Sequence, residues 1–448
     1  MTRQIAKGGA PLKPQKQTGH YSTRLPSYVV AVVLAVVPLQ AFLAVWGTKL
    51  GGNYTLLRLM PEYVLLCLVL WLLASGGVRS AWRALRSHGP AWLIVLYLAL
   101  NLLYGIVTVS FRNGDVQAAA YGLLLNTRHV VWFAVVYAVA LESGWLRRNW
   151  QRLVLAPLGA VAVFALLQFF VLPADFLSQF GYQRGVTIAP IQTINQDTET
   201  IRAQSFLRGP NPLGAYLVLG IGLLWVAAVG RAKKYALMGL AVAALFLSFS
   251  RSAWLGLIAS GLSWFAVTKG ITRSGKTVLR ASLAVLGCLV VILFLLQTNA
   301  GVQNAVLHVE DESTAPQTSN EDRLAALKSG VADVVHEPLG HGVGTAGPAS
   351  MLADEVPARN SENYFLGLGQ EIGWLGMGLF VAICYRLGRV LSARTERFPR
   401  MLFATLVGLT LVNLLSYAWA DGTLAYLWWG LAAIALASPI VKPQKQHG

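Results

Sequence analysis

The chain has 448 residues, 55% of them hydrophobic and only 12% charged, with 14 Trp and a formal net charge of +17. A water-soluble chain carries about 25% charged residues, so the composition excludes an ordinary soluble enzyme and points to a body solvated largely by lipid. Cys67, Cys288 and Cys384 all fall inside apolar runs and read as packing residues, giving neither a disulfide framework nor a metal site.

The first 27 residues are polar, with Arg3, Lys7, Lys13, Lys16 and Arg24, and contain no apolar signal core. They read as a basic cytoplasmic tail. A spanning helix needs roughly 20 mostly apolar residues. Such runs occur near 28–47, 62–78, 91–110, 119–141, 153–173, 211–229, 235–250, 252–268, 281–297, 364–384, 401–418 and 424–441. The expectation is an all-α polytopic membrane protein of about 12 spans. It forms a single transmembrane domain over 28–441, with a short tail at 442–448 and both termini cytoplasmic. The stretch 235–268 is split on physical grounds. As one helix it would reach about 51 Å, far beyond the ~30 Å hydrocarbon core. Its two flanks, "RAKK" and "TKGITRSGK", are both basic and so lie on one side. The chain must turn back near Ser250 and Arg251.

The loops assigned to the cytoplasm hold 25 of the 36 Lys and Arg, while 298–363 alone carries ten of the 19 acids. The net charge is therefore a topology signal with an added attraction to anionic lipid, not a nucleic-acid footprint. Two long outward loops remain, 174–210 and 298–363. The first mixes aromatic, β-branched, Gly and Pro residues and reads as an ordered lid. The second contains "EDRLAALKSGVADVV", about 321–335, with Leu324, Leu327, Val331 and Val335 at helical spacing. It reads as an amphipathic helix lying across the outer surface.

Four arginines sit on the outward side near helix ends: Arg202, Arg208, Arg251 and Arg323. A guanidinium matches phosphate oxygens bidentately and keeps its charge, and at membrane depth it requires an anion or a wet cavity. The anion available there is the diphosphate of a lipid-linked substrate; the plainer role is contact with lipid headgroups or an outward acid. Arg128, with Asn126 and His129, lies inside the fourth span as an internal polar anchor or a functional group. "HEPLGH" spaces His336 and His341 five apart around Pro338 and Gly340, which rules out the two-imidazole helical zinc motif. In "SENYFLGLGQEIGWLGMGLF", Glu362 heads a membrane segment and Glu371 lies inside it. Nine residues at 100° turn half a circle, so the two face opposite ways and are not an acid pair. Glu362 at the outer mouth reads as a general base, or as an acid complementing a helix dipole. Glu371 reads as a buried structural hydrogen-bonder.

"RAQSFLRGPNPLGAYL", "SFSRSAWLGL", "RLAALKSGVADVVHEPLGHGVGTAG" and "ENYFLGLGQEIGWLGMGLF", in that order over about 200–380, resemble the O-antigen ligase/polymerase superfamily of bacterial membrane glycosyltransferases. The resemblance implies a GT-C-like enzyme of the bacterial inner membrane, with its active site on the outer side. Its donor is a glycan on undecaprenyl diphosphate, and it needs neither metal nor nucleotide cofactor. The diphosphate would be held by Arg202 and Arg251, with Arg208 and Arg323 beside them. A base at Glu362 would take a proton from an acceptor hydroxyl, which attacks the anomeric carbon with inversion. Asn211, Asn363 and Tyr364 are further substrate-binding positions. Ligases of this family carry a histidine where this chain has Glu362. The glutamate resembles the polymerase branch, with His341 as the alternative base. The implied partners are a lipid-linked donor and acceptor, membrane lipids and a chain-length regulator, with no nucleic acid. A ligase or O-oligosaccharyltransferase is the rival reading. A flippase fits less well, because ionisable residues gather at the outer face and no internal repeat is present.

Overall fold

Apolar runs become helices here where a polar side chain or a proline can start them. Asp115 caps one helix by accepting from the Ala118 amide at 2.6 Å, and Asp421 caps another through the Thr423 amide at 2.9 Å. Pro61 and Pro210 occupy first turns, where a missing N–H costs nothing. The computed structural model describes residues 24–88, 90–112, 114–194, 197–269, 319–353, 359 and 361–437. The side chains of 80, 87, 88, 194, 197–200 and 319–323 lie outside that description.

In chain order the helices are α1 (Arg24–Val36), α2 (Gln40–Lys49), α3 (Tyr54–Arg58), α4 (Met60–Ala74), α5 (Val78–His88), α6 (Ala91–Phe111), α7 (Val116–Glu142) and α8 (Trp145–Phe170). They continue with α9 (Pro210–Val226), α10 (Arg231–Leu247), α11 (Arg251–Thr268), α12 (Ser319–His336), α13 (Gly347–Ser350), α14 (Tyr364–Ser392), α15 (Arg397–Leu414) and α16 (Gly422–Leu436). Among the described residues five segments are long and apolar enough to cross a membrane: Arg24–Lys49, α6, α7, α8 and α14; α4, α9 and α16 are shorter apolar helices. Each expected span falls on helix except 281–297, which lies outside the described residues, as does all of 298–318.

The helical fold class holds, with one short addition. The chain is helical, but β1 (Thr193–Ile194) and β2 (Asp197–Ile201) form an antiparallel hairpin inside the first long loop. The stretch 235–268 is two helices, α10 and α11, broken at Ser248–Ser250. Trp254, one turn into α11, donates its indole N–H back to the Leu245 carbonyl at 3.1 Å, which folds the second helix against the end of the first.

The central helix is α16, buried along its whole length from Thr423 to Leu436 against α7 and its neighbours. A helix apolar all round must be surrounded by protein or lipid. Here Trp419, Trp428 and Trp429 meet edge to face around it, with His129 and Phe380 in the same aromatic cluster. Beside it Arg128 is the internal anchor. It pairs with Glu62 at 2.6 Å, both side chains buried, and donates to the Ala420 carbonyl at 2.5 Å. That pair holds α4, α7 and the start of α16 together.

The helix α12 covers the expected 321–335 but does not lie across the bundle end. It runs alongside the first half of α14, where Gly330 packs on Ser361 and Leu366. The Gln370 amide donates to Asp333 at 2.8 Å, and the Trp374 indole donates to the Val334 carbonyl at 2.7 Å. Small Gly330 and buried Val334 allow that approach, while Leu324, Leu327, Val331 and Val335 stay exposed on the other face.

Candidate active site

Three segments far apart in sequence meet at one end of the bundle, where α9, α11, α14 and α16 begin. The first is Arg202–Arg208, seated on α8 by a single buried side chain. The Gln168 amide oxygen accepts from the Gln204 and Ser205 amides at 3.2 and 2.8 Å. The Ser205 hydroxyl donates to the Val161 carbonyl at 2.8 Å, and the Gln204 amide donates to the Ala189 and Pro190 carbonyls at 3.0 Å. This seat aims Arg202 across the α10–α11 turn. Its Nε donates to the Ser248 carbonyl at 3.0 Å and its Nη2 to the Asn211 amide oxygen at 2.9 Å. A longer contact reaches the Phe249 carbonyl at 3.4 Å.

The second segment is that turn. Arg251 opens α11 half-buried, and Gly214 of α9 packs directly on Ser250 and Ala253. Thus Arg202, Asn211 and the turn carrying Arg251 form one connected corner.

The third segment is 361–364. Ser361, Asn363 and Tyr364 are buried and pinned, and Glu362 between them is half-buried. Asn363 caps α14 by accepting from the Phe365 and Leu366 amides at 2.9 and 3.1 Å, and its own amide donates to the Leu414 carbonyl at 3.0 Å. Ser361 Oγ donates to the Asn363 carbonyl at 3.1 Å and lies 3.2 Å from the Tyr417 hydroxyl. With both neighbours fixed, Glu362 takes φ +49°, a left-handed conformation costing a non-glycine residue about 1–3 kcal/mol. Among the described residues the other non-glycine positions with positive φ are Ser205 (+53°) and Phe249 (+48°), so each of the three segments holds one.

Beside them lies a cavity of about 280 Å³. Of the three segments only the third lines it, through Glu362. Across from Glu362 stands Asn211 at the start of α9, with Gly347, Pro348, Tyr417 and Asp421 in the rest of the wall. Arg202 and Arg251 reach this region through Asn211 and α9 and are not in the lining. Burial raises the Tyr417 pKa above the usual phenol range. Tyr417 and Asp421 are not signalled as site residues by the sequence. "YAWADGTLAY" shows a helix start at Asp421, but nothing local shows that the helix opens into a cavity.

The remaining expected residues separate. Arg208 is exposed, and the Arg323 side chain lies outside the described residues. Tyr364 packs against Phe380 and Tyr417, and its ring sits beneath the rim. His341 does not line the cavity. Its amide donates to the Gln370 carbonyl at 2.7 Å, roughly 12 Å along the α14 axis from Glu362, and its Nε2 pairs with Glu337 at 3.0 Å. Glu371 accepts from Asn126 Nδ2 at 2.5 Å and from the Gly344 and Ala346 amides at 2.9 and 3.4 Å. Glu362 precedes the Asn363 cap and lies outside α14, so the half-turn expected between the two glutamates does not apply. Among the described residues no three His, Cys, Asp or Glu side chains gather in a way that could hold a metal ion.

Residues 236–381 match the family model described as O-antigen ligase. The matched segment contains Arg251, His341 and Glu362 and supports the O-antigen ligase/polymerase superfamily for this chain. The matched segment is about a third of the chain; with the apolar helices it supports an integral membrane protein similar to glycosyltransferase-like enzymes, a family that implies lipid-linked glycan substrates. No curated protein matches the chain.

Proposed function

We propose that this chain, with its O-antigen ligase segment as the premise, is a polymerase of a cell-surface polysaccharide in the bacterial inner membrane. It transfers a glycan from undecaprenyl diphosphate to a sugar hydroxyl of another lipid-linked repeat unit. The observation carrying the reading is the coincidence of strain and motif: a left-handed non-glycine residue in each of the two segments that form the Arg202 corner, and a third at Glu362, which lines the neighbouring cavity together with Asn211 of that corner. Such strain persists only where surrounding structure over-determines it, and it concentrates at functional sites.

In this reading Glu362 takes the proton of the acceptor hydroxyl. The oxygen attacks the anomeric carbon from the face opposite the diphosphate, and the bond to the diphosphate oxygen breaks. Arg251 stabilises the charge arriving on the leaving group. Arg202 holds the turn that presents Arg251 and lends a second positive charge, while Arg208 and Arg323 add to the field around the mouth. The leaving group already carries its charge on the lipid diphosphate, so the step needs no metal. The excess of basic residues at the opposite end of the helices supports a cavity opening outward.

Glu362→Gln should keep the carboxamide shape and lose the base. Chain extension should fall by about 10²–10⁴-fold with the protein still inserted and abundant. Wild-type polymer from that variant, read on a gel of extracted glycan, would sink the assignment. The match to a family described as ligase favours a second reading, transfer of the finished glycan to lipid A core or protein. A deletion strain separates the two: single lipid-linked repeats mean polymerase, and long unattached chains mean ligase.

A further inference from the structure

The segment Leu339–Gly347 enters the bundle between α6, α7 and α14, and α14 is broken to receive it. At Ile372–Gly373 the helix leaves helical geometry, with Gly373 at φ +65° and ψ −175°. The freed backbone groups pair with the entering segment. The His341 and Gly342 amides donate to the Gln370 and Glu371 carbonyls at 2.7 and 2.9 Å, and the Trp374 amide donates to the Pro338 carbonyl at 2.9 Å. Arg112 Nη1 donates to the Gly340 carbonyl at 2.8 Å, and the Val343 amide donates to Thr108 Oγ1 at 3.1 Å. Gly344, at φ +86°, passes so close to the Ala118 backbone that a Cβ would overlap it. At the end of this path the chain reaches Gly347 and Pro348, which form a wall of the cavity that Glu362 lines.

One buried charged side chain joins the segment to both helices. Glu371 Oε1 takes the Gly344 and Ala346 amides, while Oε2 takes Asn126 of α7. A water-sized space of about 20 Å³ beside Glu371 shares Pro348 and Tyr417 with the main cavity, so the seat and the wall are contiguous. We propose that Glu371 is a positioning residue: its carboxylate holds Gly344–Ala346 and thereby sets the Gly347–Pro348 wall opposite Glu362. The consequence for turnover rests on the glycan-transfer reading above; the placement of the wall does not. The seat requires acceptor oxygens, not negative charge. A glutamine at 371 keeps one oxygen for the two backbone amides, and a reoriented Asn126 accepts from its NH₂.

The test uses the full chain in membranes, with Cys67, Cys288 and Cys384 replaced by Ala and Met351→Cys as reporter. Met351 lines the cavity just beyond the wall and is exposed. Two quantities are read: the rate of thiol labelling by a polyethylene-glycol maleimide, and polymer on a glycan gel. Glu371→Ala should raise labelling at least fivefold and lower polymer at least tenfold at unchanged protein abundance. Glu371→Gln should restore both to within threefold of the parent. Labelling at the parental rate in Glu371→Ala, or a Gln variant as deficient as Ala, overturns the proposal. If Glu371→Ala does not accumulate, Thr108→Val, which removes the acceptor of the Val343 amide, must raise labelling at least twofold; an unchanged rate is the overturning result. Should the parent make no Glu362-dependent glycan, the transfer reading fails while the labelling arm still decides the seat.

Discussion

The two segments that enter the cavity end, Arg202–Arg208 and Leu339–Gly347, are seated in the same way by different chemistry. Each is held by one side-chain oxygen of a neighbouring helix that accepts two consecutive or near-consecutive backbone amides. For the first the oxygen belongs to the neutral amide of Gln168; for the second it belongs to the carboxylate of Glu371. The first segment carries two arginines within seven residues, and the second carries no Lys or Arg between Leu339 and Gly347. A carboxylate beneath the arginines would draw their field inward in a medium where charge is poorly screened. A neutral amide fixes the same backbone without doing so. The difference shows that backbone seating and charge placement are separable demands, and the chain meets both.

The most damaging way to break this comparison is to close the gap that admits the second segment. Gly373→Ala would place a Cβ against the Pro338 carbonyl in a backbone region reserved for glycine. We expect a stability loss of about 3 kcal/mol or more, read as a lowered melting temperature in detergent. Unchanged melting would show that the break is not needed to hold the segment. Next comes Gln168→Leu, which leaves two buried amides of the first segment without an acceptor. At about 1–3 kcal/mol for each orphaned group, a loss of about 2–6 kcal/mol is expected by the same measurement. The smallest effect belongs to Ser205→Gly. It relieves left-handed strain but removes the hydroxyl donor to Val161, two contributions of about 1 kcal/mol each and opposite sign. Melting should therefore shift by less than about 2 °C, and a large destabilisation would mean that the strain at Ser205 is not relieved by glycine.

What the sequence discloses is what its local patterns control. The break at Ser248–Ser250 follows from helix length against membrane thickness and from two basic flanks. The placement of Glu362 at the head of the segment and of Glu371 inside it follows from the apolar run, although Glu362 stands outside the helix and the helical repeat does not set its direction. The three segments are recognisable as motifs. The missing pieces are contacts between residues distant along the chain. Arg128 finds Glu62, Gln168 finds Gln204 and Ser205, and Asp421 opens into a cavity with Asn211; no periodicity in any one segment announces these meetings. The β1–β2 hairpin is too short for an alternation to show. The path of α12 turns on Gly330 and Val334, and its four evenly spaced apolar residues draw attention to the opposite face. The break in α14 is hidden because "EIGWLGMG" is apolar enough to read as uninterrupted span.

The left-handed backbone at Glu362 also limits which side chains can occupy that place. Asparagine, aspartate and histidine adopt this conformation several-fold more readily than other non-glycine residues, whereas β-branched and bulky side chains are outliers there. The histidine found in ligases of the resembled family is thus among the few proton acceptors that fit the slot without rebuilding its neighbours. In the proposed transfer, the choice of side chain at 362 is thus limited by torsion-angle tolerance as much as by acid–base chemistry, with Ser361 and Asn363 pinned on either side of it.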